Sequence, residues 1–332
     1  MTGMYYDARW CAPHGIGRFA TEVRNRLSGW DDLPLDGSPT SPSDSWRLAK
    51  CLKQNKASIY FSPGYNVPLY ASCPVVATVH DLIHLHCADE TSIAKRAYYR
   101  YVQRPMIRRS PVTLTVSEFS RQEIIDWYDI AESQVVVVGN GVSEEFKPDE
   151  IALPSKRPYF YFVGNTKPHK NVESLVKAFA IVAEKYGDVE LKLVAKPSDA
   201  IRRLVALTPV KDRIEWIRGA SDVKLAEQYR GAVATVLPSF FEGFGLPLVE
   251  AMACGCPVIA SDRTSIPEVV GDAGILFDPN NIDHIADCMI RVLDDSELRA
   301  AMKQKGLQQA AKFRWSQVGE RVRRALQSVA AS

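Results

Sequence analysis

The sequence predicts two doubly wound α/β domains, each a parallel sheet wrapped by helices, on three observations. Short apolar runs rich in β-branched and aromatic residues, such as 75–79 and 159–163, alternate with helical segments along most of the chain. At 332 residues the chain is too long for one ordinary core and suits two domains of about 150 residues each. The run from Pro238 to Ser261 reads as a strand end, a tight turn, a helix and a second strand in succession.

Composition narrows the class. Apolar content of 46% and charged content of 24% are those of a soluble globular protein, and a formal charge of +2 leaves no basic excess for nucleic acid. No apolar run approaches the length of a membrane span, and residues at the start lack a signal-peptide pattern. Seven cysteines without a C-x-x-C pair suggest reduced thiols and a cytoplasmic protein. Cys254 and Cys256 read as small buried residues rather than metal ligands.

Taken in order, residues 5–7 end a short first strand, with Asp7 leaving it. The run His14-Gly15-Ile16-Gly17-Arg18-Phe19-Ala20 then opens a helix to about Leu27. Alone it is a weak dinucleotide fingerprint, which needs an acidic ribose reader near a second strand end; Asp36 lies instead in the Pro/Ser/Gly-rich loop 31–43. A helix at 44–55 and a strand at 57–61 follow. The strand 75–79 delivers His80 and Asp81 at its C-terminal end, where open α/β sheets place ligand groups. His80, His84 and His86 invite a zinc reading, but no paired cysteine or carboxylate completes it. Residues 93–109 are basic, aromatic and free of acids, a helix that Pro105 kinks or ends early. Strand 112–116 leads to Ser117, a helix N-cap. Strand 135–138 reaches Gly139-Asn140-Gly141-Val142, and the acidic segment 144–150 reads as linker.

The second domain opens with strand 159–163 and the loop Gly164-Asn165-Thr166-Lys167-Pro168-His169-Lys170-Asn171. A helix follows whose apolar positions Val172, Leu175, Val176, Phe179 and Ala180 share one face. Lys170 at this strand–loop–helix junction adds its charge to a helix N-terminus, which is a diphosphate site in physical terms. Strand 189–194, a helix from about 198 and strand 213–217 lead to Gly219. Residues 232–237 form a buried strand stopped by Pro238. Gly243 and Gly245 let the backbone turn, Pro247 suits a first helical turn, and Gly255 supplies a left-handed helix end. The amides of Phe244, Gly245 and Leu246 face a ligand that accepts hydrogen bonds. Glu242 and Glu250 flank that turn and suit sugar hydroxyls better than phosphate, each contributing about 1.5–3 kcal/mol. Helices near 282–292, 295–312 and 315–329 complete the chain.

The string from Glu242 through Glu250 to Ser261, with Ile266-Pro267-Glu268-Val269-Val270-Gly271-Asp272 behind it, closely resembles the donor-site signature of retaining glycosyltransferase family 4. The resemblance implies the GT-B fold: two facing Rossmann-like domains with a cleft between them. Residues 1–150 would bind the acceptor, 151–314 the nucleotide-sugar donor, and the helix 315–332 would pack back on the first domain. It also implies a glycosyltransferase that moves a sugar with retention, independent of metal and without cofactor. His80, Lys170 and Glu242 are the expected catalytic groups. Gly15, Gly17, Lys170, Gly219, Glu242, Gly243, Phe244, Gly245, Leu246 and Glu250 are the expected donor contacts. Many members carry an arginine where this chain has Asn165, leaving Lys167 or Arg18 to compensate. The expected donor is GDP-mannose and the expected acceptor a growing glycan or lipid-linked sugar, with peripheral membrane contact through 93–109, where Arg96, Arg100 and Arg104 share one side. Two alternatives stay open: a GT-B-fold nucleotide-sugar epimerase and a non-catalytic subunit of a glycan pathway.

Overall fold

All strand pairs are parallel, in two six-stranded sheets, in the computed structural model, which describes residues 3–12, 15–87, 91–148 and 155–331. The chain divides into two units, Met1–Gly141 with Arg314–Ser332, and Val142–Phe313.

In the first unit the elements are β1 (Met4–Tyr6), α1 (Gly15–Arg24), β2 (Asp31–Asp32), α2 (Asp44–Gln54), β3 (Ile59–Ser62), β4 (Val75–Thr78), α3 (Ile83–His86), α4 (Ile93–Tyr98), α5 (Arg104–Arg109), β5 (Thr113–Thr115), α6 (Glu118–Tyr128) and β6 (Val135–Val137). The sheet order is β2-β1-β3-β4-β5-β6, so the winding reverses between β1 and β3. Strands β3, β4 and β5 are buried throughout, as expected where helices cover both faces. Two expectations change. Asp31 and Asp32 lie in a stretch without apolar pattern, yet they pair with Tyr5 and Tyr6 because β1 leaves an open edge there. Pro105 does not end its helix, which continues to Arg109. The turn before it, Tyr99–Gln103, widens to π geometry, and the Arg104 N–H donates to the Tyr99 carbonyl five residues back. The missing proline N–H and the ring's crowding of the preceding turn are absorbed by that extra residue.

The second unit contains β7 (Tyr159–Val163), α7 (Val172–Lys185), β8 (Glu190–Val194), α8 (Asp199–Leu207), β9 (Ile214–Ile217), α9 (Asp222–Gly231), β10 (Ala234–Leu237), α10 (Leu246–Ala253), β11 (Val258–Ser261), α11 (Ile266–Val270), β12 (Ile275–Phe277), α12 (Ile282–Asp294) and α13 (Ser296–Ala310). Its sheet order is β12-β11-β10-β7-β8-β9, reversing between β7 and β10. Ser198, Ser221, Asn281 and Asp295 each accept a hydrogen bond from an amide of the helix they open, at about 1 kcal/mol apiece. On α7 the buried stripe is completed by Ala178, while Ala180 is only half-buried, so the expected face is rotated slightly. The acidic stretch expected as linker joins this unit as far as it is described: Phe146 is buried, edge-on to Tyr229 at 6.1 Å.

The last helix, α14 (Trp315–Ala330), belongs to the first unit. It buries Trp315, Val318, Val322 and Leu326. Trp315 sits so close to Gly141 that a Cβ there would meet its ring at 2.6 Å, and its indole lies 6.3 Å from the Phe19 ring.

Candidate functional site

In a doubly wound sheet the crevice for a ligand opens above the C-terminal strand ends where the winding reverses. In the second unit that point lies between β7 and β10, and both predicted loops start there. The loop after β7 carries Lys170 and the loop after β10 carries Glu242. Lys170 Nζ donates to Glu242 Oε1 at 2.6 Å, and only 13% and 11% of the two side chains is exposed. Ser239 Oγ donates to the same oxygen at 2.6 Å. Sequence reasoning assigned Lys170 to phosphate and Glu242 to sugar, and did not anticipate that the two would be paired with each other.

Local chemistry explains each loop. Asn171 is left-handed (φ +52°), ends the short turn Pro168–Lys170, and donates from its buried amide to the Pro279 carbonyl at 2.8 Å. The Phe240 amide donates to the His169 carbonyl at 2.8 Å, which ties the two loops together. Asn165 accepts from the Lys167 amide at 3.0 Å and so shapes the loop. Gly245 is the N-cap of α10 at φ +97°, a conformation that favours glycine, and Pro247 lies in the first turn. The amides at 244–246 therefore sit at the free N-terminal end of α10. Gly243 belongs to the same turn, while the Phe244 side chain is buried edge-on to Phe313 at 5.5 Å, leaving only its backbone for a ligand.

Glu250 is buried, and Tyr229 donates its hydroxyl to Oε2 at 3.2 Å. Burial, and then the charge of Glu250, hold the Tyr229 phenol well above its ordinary range, so it stays a donor. Gly219 follows β9 at φ +64°, separated from β7 by β8. Sequence reasoning missed Ser239, Tyr229, Thr264 and Ser265. Thr264 Oγ1 accepts from the Glu242 amide at 3.1 Å, and Ser265 Oγ donates to the Glu242 carbonyl at 2.8 Å. Ser239 was within reach as a serine three residues before the glutamate. The other three lie 13 to 23 residues from Glu242 with no local signal.

In the first unit, His80 follows β4 and is buried. Its Nε2 lies 2.9 Å from the Pro63 carbonyl, an oxygen that only accepts, so Nε2 carries the proton and Nδ1 is the free acceptor. Burial pushes its pKa down to about 4, so the ring is neutral at neutral pH. Phe19 of α1 packs edge-on against it at 4.9 Å. Gly17 holds α1 close: a Cβ there would fall 2.2 Å from the Ala12 carbonyl oxygen. Gly15 is exposed at the helix start, and His14 lies outside the described residues. His86 pairs with Glu123 at 2.5 Å, and His84 lies against the Tyr65 and Tyr99 rings. Among the described residues no group of three His, Cys, Asp or Glu side chains is arranged to hold a metal ion. The reversal between β1 and β3 is filled by a buried network. Arg9 donates to Asp7 (2.7 Å) and Asp44 (2.6 Å), Tyr60 donates to Asp7 (2.7 Å), and Asn66 donates to both carboxylates (3.1 Å). Arg9 is thereby neutralised inside the unit.

Comparison with known proteins agrees with this architecture. Residues 143–309 match the family described as Glycosyl transferases group 1, and residues 2–146 match Glycosyltransferase Family 4. The chain is 31% identical over 282 residues to the O-antigen chain mannosyltransferase B of Escherichia coli, covering 81% of this chain and 74% of that one. It is 33% identical over 261 residues to the MMP alpha-(1->4)-mannosyltransferase of Mycolicibacterium hassiacum, covering 74% of this chain and 63% of that longer protein. The structure superimposes on sucrose-phosphate synthase from Thermosynechococcus elongatus with a TM-score of 0.82 over 99% of both chains at 19% identity, a likeness of fold. With two parallel six-stranded sheets of GT-B type and both halves of the sequence matched, the chain belongs to glycosyltransferase family 4 and is a glycosyltransferase.

Proposed function

We propose that this glycosyltransferase transfers mannose from GDP-mannose, with retention at the anomeric carbon, to a growing glycan or lipid-linked acceptor. The observation that carries the reading is the Lys170–Glu242 pair at the β7/β10 reversal, beside the free N-terminal end of α10. It offers one cation and a set of amides for a diphosphate, and one carboxylate for sugar hydroxyls. Two relatives from different organisms are both mannosyltransferases by name although their acceptors differ, which supports the transferred sugar more strongly than the acceptor.

In this reading the bond between the anomeric carbon and the leaving phosphate oxygen breaks as the acceptor oxygen bonds to the same face. The acceptor proton passes to the departing phosphate. Lys170 and the amides at 244–246 take up the charge that develops on the diphosphate, so no divalent ion is required. Glu242 holds the sugar, and Glu250 reads the ribose. Gly219 lines the base. In the first unit the proposed contributions to donor binding are His80, neutral and with Nδ1 able to accept a hydrogen bond, and the glycines Gly15 and Gly17 at the start of α1.

The acceptor half of the proposal includes work at the cytoplasmic face of a membrane. No helix of the described residues is long and apolar enough to cross one. Arg100, Arg104, Arg108 and Arg109 line one surface depression of about 380 Å³, and Tyr101 beside them is exposed. Arg108 and Arg109 thus lie with Arg100 and Arg104 at this depression and extend the basic set.

A thermal-shift screen of GDP-mannose, GDP, UDP-glucose, UDP-N-acetylglucosamine and UDP, run in excess EDTA, tests the donor. A ligand present at 100 times its Kd adds about 2.7 kcal/mol. GDP-mannose and GDP should stabilise the protein without metal. Stabilisation by the uridine compounds alone, or only after Mg²⁺ or Mn²⁺ is restored, would overturn the proposal.

A further inference from the structure

Thr264 is out of place by its backbone. Its φ is +54°, in the left-handed region that a β-branched side chain avoids. Such a conformation persists only where its surroundings impose it, and here the turn between β11 and α11 is pinned on both sides. Ser261 Oγ accepts from the Arg263 amide at 3.1 Å. The Arg263 guanidinium reaches Asp262 (3.1 Å) and Asp278 (2.9 Å), and the Ile266 amide donates to the Arg263 carbonyl at 3.2 Å.

A glycine would make this turn without strain. What the threonine adds is a hydroxyl, and that hydroxyl accepts from the Glu242 amide. The next residue, fully buried Ser265, donates to the Glu242 carbonyl. Adjacent hydroxyls from one turn therefore hold the peptide groups on both sides of the Glu242 Cα. Ser239, from Glu242's own loop, and Lys170, from the loop after β7, hold its carboxylate. A residue with ordinary negative φ at 264 would carry its side chain off the line to the Glu242 amide.

We infer that Thr264 is a positioning residue, its strained backbone serving to fix Glu242 at one height over the β7/β10 crevice. This rests on the reading of Glu242 as the contact to the donor sugar. A residue needed only for folding predicts that stability and all binding fall together when it is changed. A positioning residue predicts that they separate.

The test compares Thr264→Gly, Thr264→Ser and Glu242→Gln with wild type. Melting temperature is measured without ligand, and affinity by calorimetry for the nucleotide sugar that stabilises the wild type best in the panel above and for its free nucleotide diphosphate. Thr264→Gly removes the hydroxyl and the strain together. Its Tm should be unchanged or raised, its affinity for free nucleotide unchanged within about twofold, and its preference for the sugar-bearing donor reduced about tenfold. Thr264→Ser keeps the hydroxyl and should restore that preference to within about threefold of wild type. If Thr264→Gly lowers Tm and weakens both ligands alike, or keeps the full preference while Glu242→Gln loses it, the positioning role is overturned. If Glu242→Gln itself keeps the preference, the reading of Glu242 fails first. A wild type that binds nothing in the panel would remove the donor site on which both rest.

Discussion

Replacing Glu242 by glutamine should move stability and nucleotide affinity in opposite directions. In the empty site the carboxylate takes Lys170 and Ser239 on one oxygen, each at 2.6 Å, in surroundings that leave little of either charged side chain exposed. Glutamine keeps the shape and an acceptor but removes the charge. Hydrogen bonds to charged groups contribute about 1.5–3 kcal/mol and neutral ones about 0.5–1.5, so the unliganded protein should lose about 1–2 kcal/mol. For a unit of about 170 residues that is a fall in Tm of about 2–8 °C. A diphosphate arriving at Lys170 then no longer meets a neighbouring negative charge. Two unit charges about 6 Å apart at an effective dielectric constant of about 20 interact by roughly 3 kcal/mol. Solvent and salt remove more than half of that at about 0.1 M ionic strength. A gain of about 1 kcal/mol remains, or GDP bound about fivefold more tightly. GDP-mannose should instead bind about fivefold more weakly, because the lost sugar contact outweighs the gain. Calorimetry with GDP and GDP-mannose, alongside thermal melts, reads all three signs. GDP affinity that falls with Tm, or does not change, would refute the competition of carboxylate and diphosphate for Lys170.

Glu250→Ala should weaken GDP and GDP-mannose equally, by about tenfold or more, since a ribose contact is common to both; selective loss of the sugar-bearing donor in calorimetry would contradict it. His80 is held neutral, its pKa lowered by burial to about 4 from 6.5, so the unfolded chain takes up this proton first as the medium is acidified. Its contribution is full above pH 6.5 and is lost as pH falls from about 6.5 to 4, up to about 3 kcal/mol. Urea melts of His80→Gln across that range should show a flatter acid limb than wild type, and an identical limb would refute the assignment. Wild type should bind anionic vesicles weakly at low salt, and changing Arg100, Arg104 and Arg108 to glutamine should weaken this by roughly 1 kcal/mol per residue close to lipid. Co-sedimentation that finds no wild-type binding, or equal binding by the triple variant, would make this an ordinary surface helix.

What could be read ahead of the structure was whatever the chain encodes locally. Buried strands such as β4 and β7 are continuous apolar runs, and Ser117 and Ser198 sit where a helix needs an acceptor for its first amides. The turn into α10 was legible because Gly245, Pro247 and Gly255 each answer a separate backbone demand. What stayed hidden depends on partners far along the chain. Asp31 and Asp32 carry no strand signal, since their pairing is decided by the vacant edge of β1. The π turn is the response of a helix already packed on both sides of Pro105, which a rule about proline alone cannot supply. Lys170 and Glu242 were each singled out by local pattern, but their pairing spans 72 residues and arises from the reversal of the sheet.

The return of α14 to the first unit sets a timetable for synthesis. Residues 314–331 are made after all of 142–313, yet their apolar stripe of Trp315, Val318, Val322 and Leu326 closes the unit that began at the N-terminus. At about 5–20 residues per second, the roughly 170 intervening residues take roughly 10–30 s to emerge. Throughout that interval the nascent first unit lacks the helix that covers Phe19 and α1, whereas the second unit has every strand it needs as soon as it leaves the ribosome. The half that is translated first is therefore the half that waits, and it is there that a chaperone would find exposed apolar surface.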